Sequence, residues 1–259
     1  LSCNCSRRCI RKNEIGADAG GERACPALAA RLATGQRNTL TMRFTLLDHQ
    51  LHFPNPRGAD AEGLVAVGGD LSVPRLLLAY RSGIFPWSVD PITWWSPDPR
   101  AILTWESFHV PRSLGRILRQ GTYQITRDQA FTRVMKACAT PAPGRRSTWI
   151  TPEFITAYAQ LHAQGHAHSL ECWQGRRLVG GIYGVTIGGL FAGESMFHRV
   201  SNASKVALAH LVEHLRQRGF ELFDLQMLTP VTARLGGITI PRAEYLQRLA
   251  RAVSQPVRF

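Results

Sequence analysis

The chain has 259 residues, enough for a well-filled core and close to the length at which one core becomes two domains, so two domains are expected. Its 31 Lys and Arg outweigh 18 Asp and Glu, a formal charge of +13 that favours a polyanionic partner, nucleic acid or an anionic membrane surface. No run of eighteen apolar residues exists, so no bilayer-spanning helix is expected.

Residues 1–41 hold four of the six cysteines, Cys3, Cys5, Cys9 and Cys25, without a sustained hydrophobic period or the apolar centre of a signal peptide. The cysteine spacing fits no common zinc finger. The chain starts at Leu1, whereas Met42 opens ordinary domain-like sequence, Met-Arg-Phe-Thr-Leu-Leu. Residues 1–41 are therefore expected to be a disordered upstream extension, with the true start at Met42. The remainder keeps 24 cations against 15 acids, or +9, so the basic character belongs to the body. Its two cysteines, Cys138 and Cys172, are far apart, as in a chain of the reducing cytoplasm.

From Phe53 to Arg100 the sequence is dense in Pro, Gly and Trp, and reads as a small domain of short elements. One helix stands out: Ser72 caps it, Pro74 fits its first turn, Arg75 to Arg81 carries it and Gly83 ends it. After Arg100 the units lengthen. A strand is expected over Ala101–Trp105, a basic helix over Pro111–Arg119, and a helix over Pro152–Gln164 closed by Gly165. A meander follows, His168–Gln174, Leu178–Thr186 and Leu190–Phe197, with turns at Gly175-Arg176 and Gly188-Gly189. Ser201 or Asn202 then caps a helix running to about Arg218, Gly219 stops it, and Phe220–Gln226 makes another strand. This order predicts an α+β chain, with antiparallel strands leading into a strand, helix, strand unit.

The meander contains Glu194, set among Leu190, Phe191, Met196 and Phe197, and a carboxylate in an apolar wall needs donors or an opposite charge. Ser195 is excluded as a nucleophile, because Phe197 replaces the second Gly of a nucleophile elbow. The cluster His162, His166 and His168 is expected to serve in hydrogen bonding, since Gly165 should throw the imidazoles onto different elements. Asn202-Ala203-Ser204 fits a glycosylation sequon, and helix capping is the better reading. Asp224 and Gln226, two apart on a strand, should project together near its carboxyl end. The strands of Glu194 and Asp224 flank one helix, so a carboxylate, an Asp and an amide could converge on a cleft suited to an amine.

Several stretches carry a resemblance: Gly-Gly-Asp-Leu-Ser at 68–72, Gly-Ile-Phe-Pro-Trp at 83–87, Trp-Trp-Ser-Pro-Asp-Pro-Arg at 94–100, Thr-Trp-Ile-Thr at 148–151, Gly-His-Ala-His-Ser at 165–169, Gly-Glu-Ser-Met-Phe at 193–197, Asn-Ala-Ser-Lys at 202–205 and Ile-Pro-Arg at 240–242. Over Phe53–Tyr245 the chain resembles the bacterial leucyl/phenylalanyl-tRNA-protein transferases. The resemblance implies a small N-terminal domain, taken as 42–100, and a catalytic domain, 101–259, with the GCN5-related acetyltransferase fold. It implies transfer of Leu or Phe from aminoacyl-tRNA to the α-amino group of proteins beginning with Arg or Lys, which marks them for degradation. Neither a metal nor coenzyme A is needed, and a cytoplasmic monomer is expected.

By position, the resemblance makes Asp224 and Gln226 the catalytic pair and Glu194 the carboxylate that meets the aminoacyl group. It assigns Ile182, Phe191 and Leu211, with Gly193, to the substrate pocket, and Trp87 and Trp149 to the terminal adenosine region. The chain departs from the family at Ile182, usually Met, at Val231 and Arg234, commonly His and Ser, and at His198, usually Ser. Strict alternation would put Phe191 and Glu194 on opposite strand faces although the pocket wants both, so a β-bulge near Gly193 is expected. Arg112, Arg116 and Arg119 share one helical face by their spacing and are candidates for acceptor-stem phosphates or a solvated basic face. Two rivals remain. A coenzyme A-dependent acyltransferase lacks its Gly-rich turn in His198 to Ser204, and an RNA-binding module without chemistry leaves the three polar groups idle.

Overall fold

Proline and glycine punctuate the chain at the ends of its elements, as seen in a computed structural model that describes residues 45–141 and 147–259. The expected extension 1–41 and the start at Met42 lie outside the described residues. In chain order the elements are β1 (Thr45–Leu47), β2 (Leu64–Gly68), α1 (Val73–Arg81), β3 (Phe85–Val89), β4 (Ile92–Trp95) and β5 (Arg100–Leu103). Then come α2 (Arg112–Gln120), β6 (Gln124–Arg127), α3 (Phe131–Ala139), α4 (Pro152–Ala163), β7 (Ala167–Gln174), β8 (Arg177–Ile187) and β9 (Leu190–His198). The last are α5 (Ala203–Gln217), β10 (Leu222–Gln226), α6 (Pro230–Arg234), β11 (Ile238–Ile240) and α7 (Arg242–Ala252).

Pro74 and Pro152 occupy first-turn positions of α1 and α4, where the missing N–H costs nothing. Gly83, Gly165 and Gly219, just beyond α1, α4 and α5, take positive φ as helix-stopping residues. Helix α5 begins where expected, but by a different device. Asn202 is its N-cap in a left-handed conformation and makes no side-chain cap bond; its Oδ1 instead accepts from Lys205 Nζ at 3.1 Å.

The strands form two sheets, a four-stranded one in the order β1-β2-β4-β3 and a seven-stranded one in the order β11-β5-β10-β9-β8-β7-β6. The fold is thus mixed α and β, as the order of elements predicts. In the large sheet β9 and β10 are parallel, joined through α5, and the other neighbours are antiparallel. One face of this sheet packs against α3 and α4, and the other against α5, with α2 lying on α5. The core on the α3 and α4 face runs without interruption into the small sheet: Leu76 and Trp94 belong to the same apolar cluster as Phe154, Tyr158 and Tyr183. Helix α7 closes a smaller cluster over Ile102, Leu190 and Leu222. Among the described residues no helix is long and apolar enough to cross a membrane.

The expected bulge is present. Tyr183 pairs with Ser195 and Gly184 with Gly193, which leaves Glu194 as the additional residue in β9. Gly184 has no alternative here, because a Cβ on it would sit 2.6 Å from the Phe191 ring and 2.4 Å from the Ala192 carbonyl oxygen.

Candidate active site

The bulge reverses the side-chain phase beyond Glu194, so Met196 packs with Phe191 while Phe197 packs with Ala192. Glu194 itself projects towards Tyr80 and Tyr158, on the α4 face, and Phe191 projects to the α5 face. The bulge therefore does not put Glu194 and Phe191 on one side of the strand, contrary to the reason for expecting it. They are brought near one another differently. The β9–β10 ladder pairs Leu190 with Leu222, Phe191 with Phe223 and Ala192 with Asp224, and goes no further. Past Ala192 the two strands are no longer paired, and the wedge between them is closed by Glu194 on one lip bonded to Gln226 on the other.

Three polar side chains meet at this wedge. Gln226 Nε2 donates to Glu194 Oε1 at 2.6 Å, and the Gln226 backbone N–H donates to Asp224 Oδ1 at 2.7 Å. Glu194, Asp224 and Gln226 are 4%, 1% and 2% exposed, so each depends on protein partners. Gln226 ends β10 with φ of 62°, a left-handed conformation that costs a non-glycine residue on the order of 1 kcal/mol. The register of β10 against β5 shifts between Asp224 and Gln226, so the pair is not held by simple two-residue alternation. The Asp224 bond to the Gln226 N–H stabilises this turn-out of the chain.

Glu194 receives its other donors from tyrosines. Tyr80 Oη donates to Glu194 Oε1 at 2.7 Å, Tyr158 Oη lies 3.3 Å from Oε2, and the two phenol oxygens are 2.5 Å apart. Each phenol has one proton, so Tyr158 must choose between Tyr80 and Glu194. Burial and then the nearby Glu194 charge push the pKa of Tyr80, Tyr158 and Tyr183 well above the ordinary phenol range. Tyr80 and Tyr158 therefore meet Glu194 as neutral donors and not as phenolates, whereas the Tyr183 hydroxyl is buried without a hydrogen-bond partner among the described residues.

Asp224 meets a full counter-charge. Arg100 donates to it from Nε at 2.9 Å and from Nη2 at 2.6 Å, a two-pronged ion pair with both side chains 1% exposed. Tyr245 Oη donates to Asp224 Oδ2 at 2.9 Å. Arg100 Nη1 donates to the Gly83 carbonyl at 3.1 Å, and the guanidinium lies between the Phe85 and Tyr245 rings, 4.7 and 4.4 Å from their centroids. Burial pulls the Arg100 pKa down, but the Asp224 charge more than offsets it, so the guanidinium stays protonated.

The family model described as leucyl/phenylalanyl-tRNA protein transferase matches residues 102–250, and that of the family's N-terminal domain matches residues 69–98. This chain belongs to that family. It is 54% identical over 207 residues to the leucyl/phenylalanyl-tRNA–protein transferase of Anaeromyxobacter dehalogenans, covering 79% of this chain and 89% of the relative. The like-named protein of Magnetococcus marinus is 52% identical over 212 residues, with 79% and 90% covered, and that of Nitratidesulfovibrio vulgaris 49% over 222 residues, with 84% and 95% covered. Among solved structures, L-PGS from Bacillus licheniformis aligns over 64% of this chain and 56% of its own with a TM-score of 0.37 and 13% identity, too loose a likeness to argue from.

In this member of the transferase family, Ile182, Phe191 and Leu211 are buried together on the α5 face, with the Phe191 ring edge-on to Phe223 at 5.2 Å. Gly193 lies beside them, and a Cβ there would come within 3.0 Å of the Phe223 ring. Trp87 and Trp149 pack against the core of the opposite face, Trp87 5.7 Å from Trp95 and Trp149 5.1 Å from Phe154. Arg112, Arg116 and Arg119 are all exposed on α2. The three histidines do fall on separate elements. His162 Nδ1 lies 2.7 Å from the Ala167 carbonyl and His168 Nδ1 2.7 Å from Asp128 Oδ2. Sequence reasoning missed Arg100, Tyr80, Tyr158 and Tyr245. Arg100 stands within the resemblance stretch at 94–100, where a charge following a run of Trp and Pro was the available signal.

Proposed function

We propose that this chain transfers Leu or Phe from aminoacyl-tRNA to the α-amino group of proteins beginning with Arg or Lys, and that Glu194, Gln226 and Asp224 carry the reaction. The observation that supports this most is the meeting of Glu194 and Gln226 across the unlaced end of the β9–β10 pair. A ligand that displaces the Glu194–Gln226 bond would put its side chain against Ile182, Phe191 and Leu211 and its amino group against Glu194, one on each face of the sheet. Gly193 adds no side chain to this crowded point, where a Cβ would meet the Phe223 ring at 3.0 Å.

The donor is an ester and already activated, so the reaction as proposed needs no cofactor. The acceptor nitrogen attacks the ester carbonyl, the C–N bond forms, the C–O bond to the ribose breaks, and the amine proton passes to solvent as the ribose oxygen is protonated. With an α-amino pKa of about 7.7 to 8.0, roughly a tenth to a sixth of the acceptor is neutral at pH 7, and alignment is the larger task. Asp224 already accepts four bonds, from Arg100 twice, from Tyr245 and from the Gln226 N–H, which favours an orienting role over that of the base. Gln226, held by Asp224 through its backbone and by Glu194 through its amide, would position the amine.

Ile182 would shape donor selection, since a stiff β-branched wall sorts Leu from Phe by fit. Trp87 and Trp149 would stack on the terminal adenosine. Arg112, Arg116 and Arg119 would meet acceptor-stem phosphates, and neutralising each should reduce the slope of log affinity against log salt by about one. A nitrocellulose-filter titration of tRNA at several salt concentrations measures it, and unchanged slopes would make α2 a solvated basic face. We also propose the division into units 42–100 and 101–259, the GCN5-related topology of the larger, and action as a cytoplasmic monomer. The burial of Cys138 and Cys172, which form no disulfide with each other, suits a reducing compartment.

The test is transfer of labelled Leu and Phe from tRNA to peptides beginning with Arg, Lys or Ala. Label should enter the first two peptides only, and Gln226→Ala should reduce it at least tenfold. Absence of label from the Arg peptide with the parent protein would reject the reading.

A further inference from the structure

A second cationic feature lies away from the wedge and from α2. A groove of about 250 Å³ is lined by Arg133, Lys136, Ala137 and Thr140 of α3 and its end, Leu178 at the start of β8, and Arg199 just after β9. Its three charged side chains are all cations and all exposed, and no carboxylate among the described residues pairs with any of them.

Two of these cations are held in place. The Arg133 guanidinium lies 5.0 Å from the Trp173 ring centroid, and that of Arg199 lies 5.7 Å from Phe197 while its Nη1 donates to the Leu178 carbonyl at 3.3 Å. A guanidinium stacked on a ring has already lost much of its rotamer freedom and keeps in-plane N–H groups for an oxyanion. Lys136, three residues from Arg133, lies on the same face of α3. Like charges gathered without a counter-ion repel one another, an arrangement that an arriving anion relieves.

The position relative to Glu194 says which anion. Arg199 is five residues beyond Glu194 on β9 and its continuation, about 17 Å at the strand rise. A nucleic-acid strand with about 3.4 Å between stacked nucleotides covers that span in about five steps. The groove opens on the α3 and α4 face, the face that carries the tyrosines of Glu194 and also Trp149. The α2 arginines belong to the opposite side of the sheet. An acceptor protein that begins with a cation would be repelled by the groove, whereas a phosphodiester strand would be drawn into it.

We propose that Arg133, Lys136 and Arg199 form a phosphate-binding track for the RNA donor, gripping its strand a few nucleotides before the aminoacylated 3′ end. This inference rests on the aminoacyl-tRNA reading above. Planar guanidiniums take phosphate oxygens two at a time, and Lys136 adds a point charge between them.

The experiment compares the parent protein with Arg133→Gln, Lys136→Gln, Arg199→Gln and the triple variant. Affinity for uncharged tRNA is measured against salt, and transfer to an Arg peptide is measured with two donors, full-length leucyl-tRNA and 3′-leucyl-adenosine, which is too short to reach the groove. Each single change should reduce the salt slope by about one and the triple change by about two to three. KM for leucyl-tRNA should rise at least tenfold in the triple variant, with transfer from leucyl-adenosine unchanged. An unaltered salt slope overturns the track. So does an equal loss with both donors, which would mark a damaged fold. A rise in KM for an acidic acceptor peptide with RNA binding intact also overturns it, in favour of a protein-binding groove. If the parent transfers from neither donor, the functional reading fails, while the salt slopes still decide whether the groove binds RNA.

Discussion

Truncation of Asp224 to Ala is expected to lower the free energy of unfolding by about 3–5 kcal/mol and to abolish transfer. The stability loss comes from Arg100, 1% exposed between Phe85 and Tyr245, which would be left charged with no carboxylate to meet it. The activity loss has a separate origin. Without Asp224 Oδ1 the Gln226 N–H loses its acceptor, and the left-handed backbone that aims the Gln226 amide at Glu194 is no longer held. The two effects can be separated by replacing both partners with apolar residues, Arg100→Met with Asp224→Leu. Buried ion pairs are often replaceable in this way at little cost, so stability in urea should return to within about 2 kcal/mol of the parent. Transfer should stay absent. A doubly substituted protein that is both stable and active would reduce the ion pair to a structural one and remove Asp224 from the mechanism.

Glu194→Gln is expected to reduce kcat/KM for transfer by about 10- to 100-fold, the range given by a charged hydrogen bond contributing about 1.5–3 kcal/mol. The change is nearly isosteric, and the amide oxygen can still accept from Tyr80 and from Gln226 Nε2, so the wedge should keep its shape. What disappears is the negative charge that would face the amino group of the donated residue. Tyr80→Phe, which deletes a bond between a neutral donor and that carboxylate, should cost less and should leave the preference for Leu over other residues intact. Steady-state transfer at saturating peptide checks both. Equal activity of Glu194→Gln and the parent would show that the carboxylate serves packing alone. Loss of the Glu194 charge should also let the phenol pKa values of Tyr80, Tyr158 and Tyr183 fall, which ultraviolet titration can follow, because that charge contributes to holding them up.

Much of this arrangement is legible in the sequence for local reasons. Pro74 and Pro152 mark helix starts, and Gly83, Gly165, Gly175 and Gly188 mark stops and turns with positive φ, so these elements fall close to where punctuation puts them. The bulge at Glu194 is expected from a conflict within nine residues that it does not resolve, since Glu194 and Phe191 still face opposite sides of the strand. Other parts are hidden because their causes are distant. Tyr80 reaches Glu194 across 114 residues and Arg100 reaches Asp224 across 124, and no spacing rule joins a tyrosine on one helix to a bulge on a remote strand. Helix α3 was legible and overlooked. Phe131, Val134, Met135 and Cys138 are buried at positions 0, 3, 4 and 7, a helical period, but Ala130 makes no side-chain cap bond and supplies no start signal. The face assignment of Glu194 failed for another reason. Alternation counts residues along one strand, whereas access from both sides arises where two strands cease to pair, and pairing length cannot be read from either strand alone.

Arg100 and Tyr80 have a bearing on how such a protein can be divided. The Arg100 guanidinium, at the start of β5, is anchored to the carbonyl of Gly83, and the phenol comes from α1, so the chemistry of the large sheet borrows an anchor for its counter-ion and a proton donor from the segment before β5. A fragment beginning at residue 101 would expose a lone acid where the parent has a neutralised one, and would empty one side of the Glu194 carboxylate. Swapping N-terminal segments between relatives should therefore succeed only when these two residues travel with a matching Gly83 loop. Helix α1 and the loop after it are in that sense a prosthesis for the large sheet, inherited as a set with it and unsuited to exchange as a cassette.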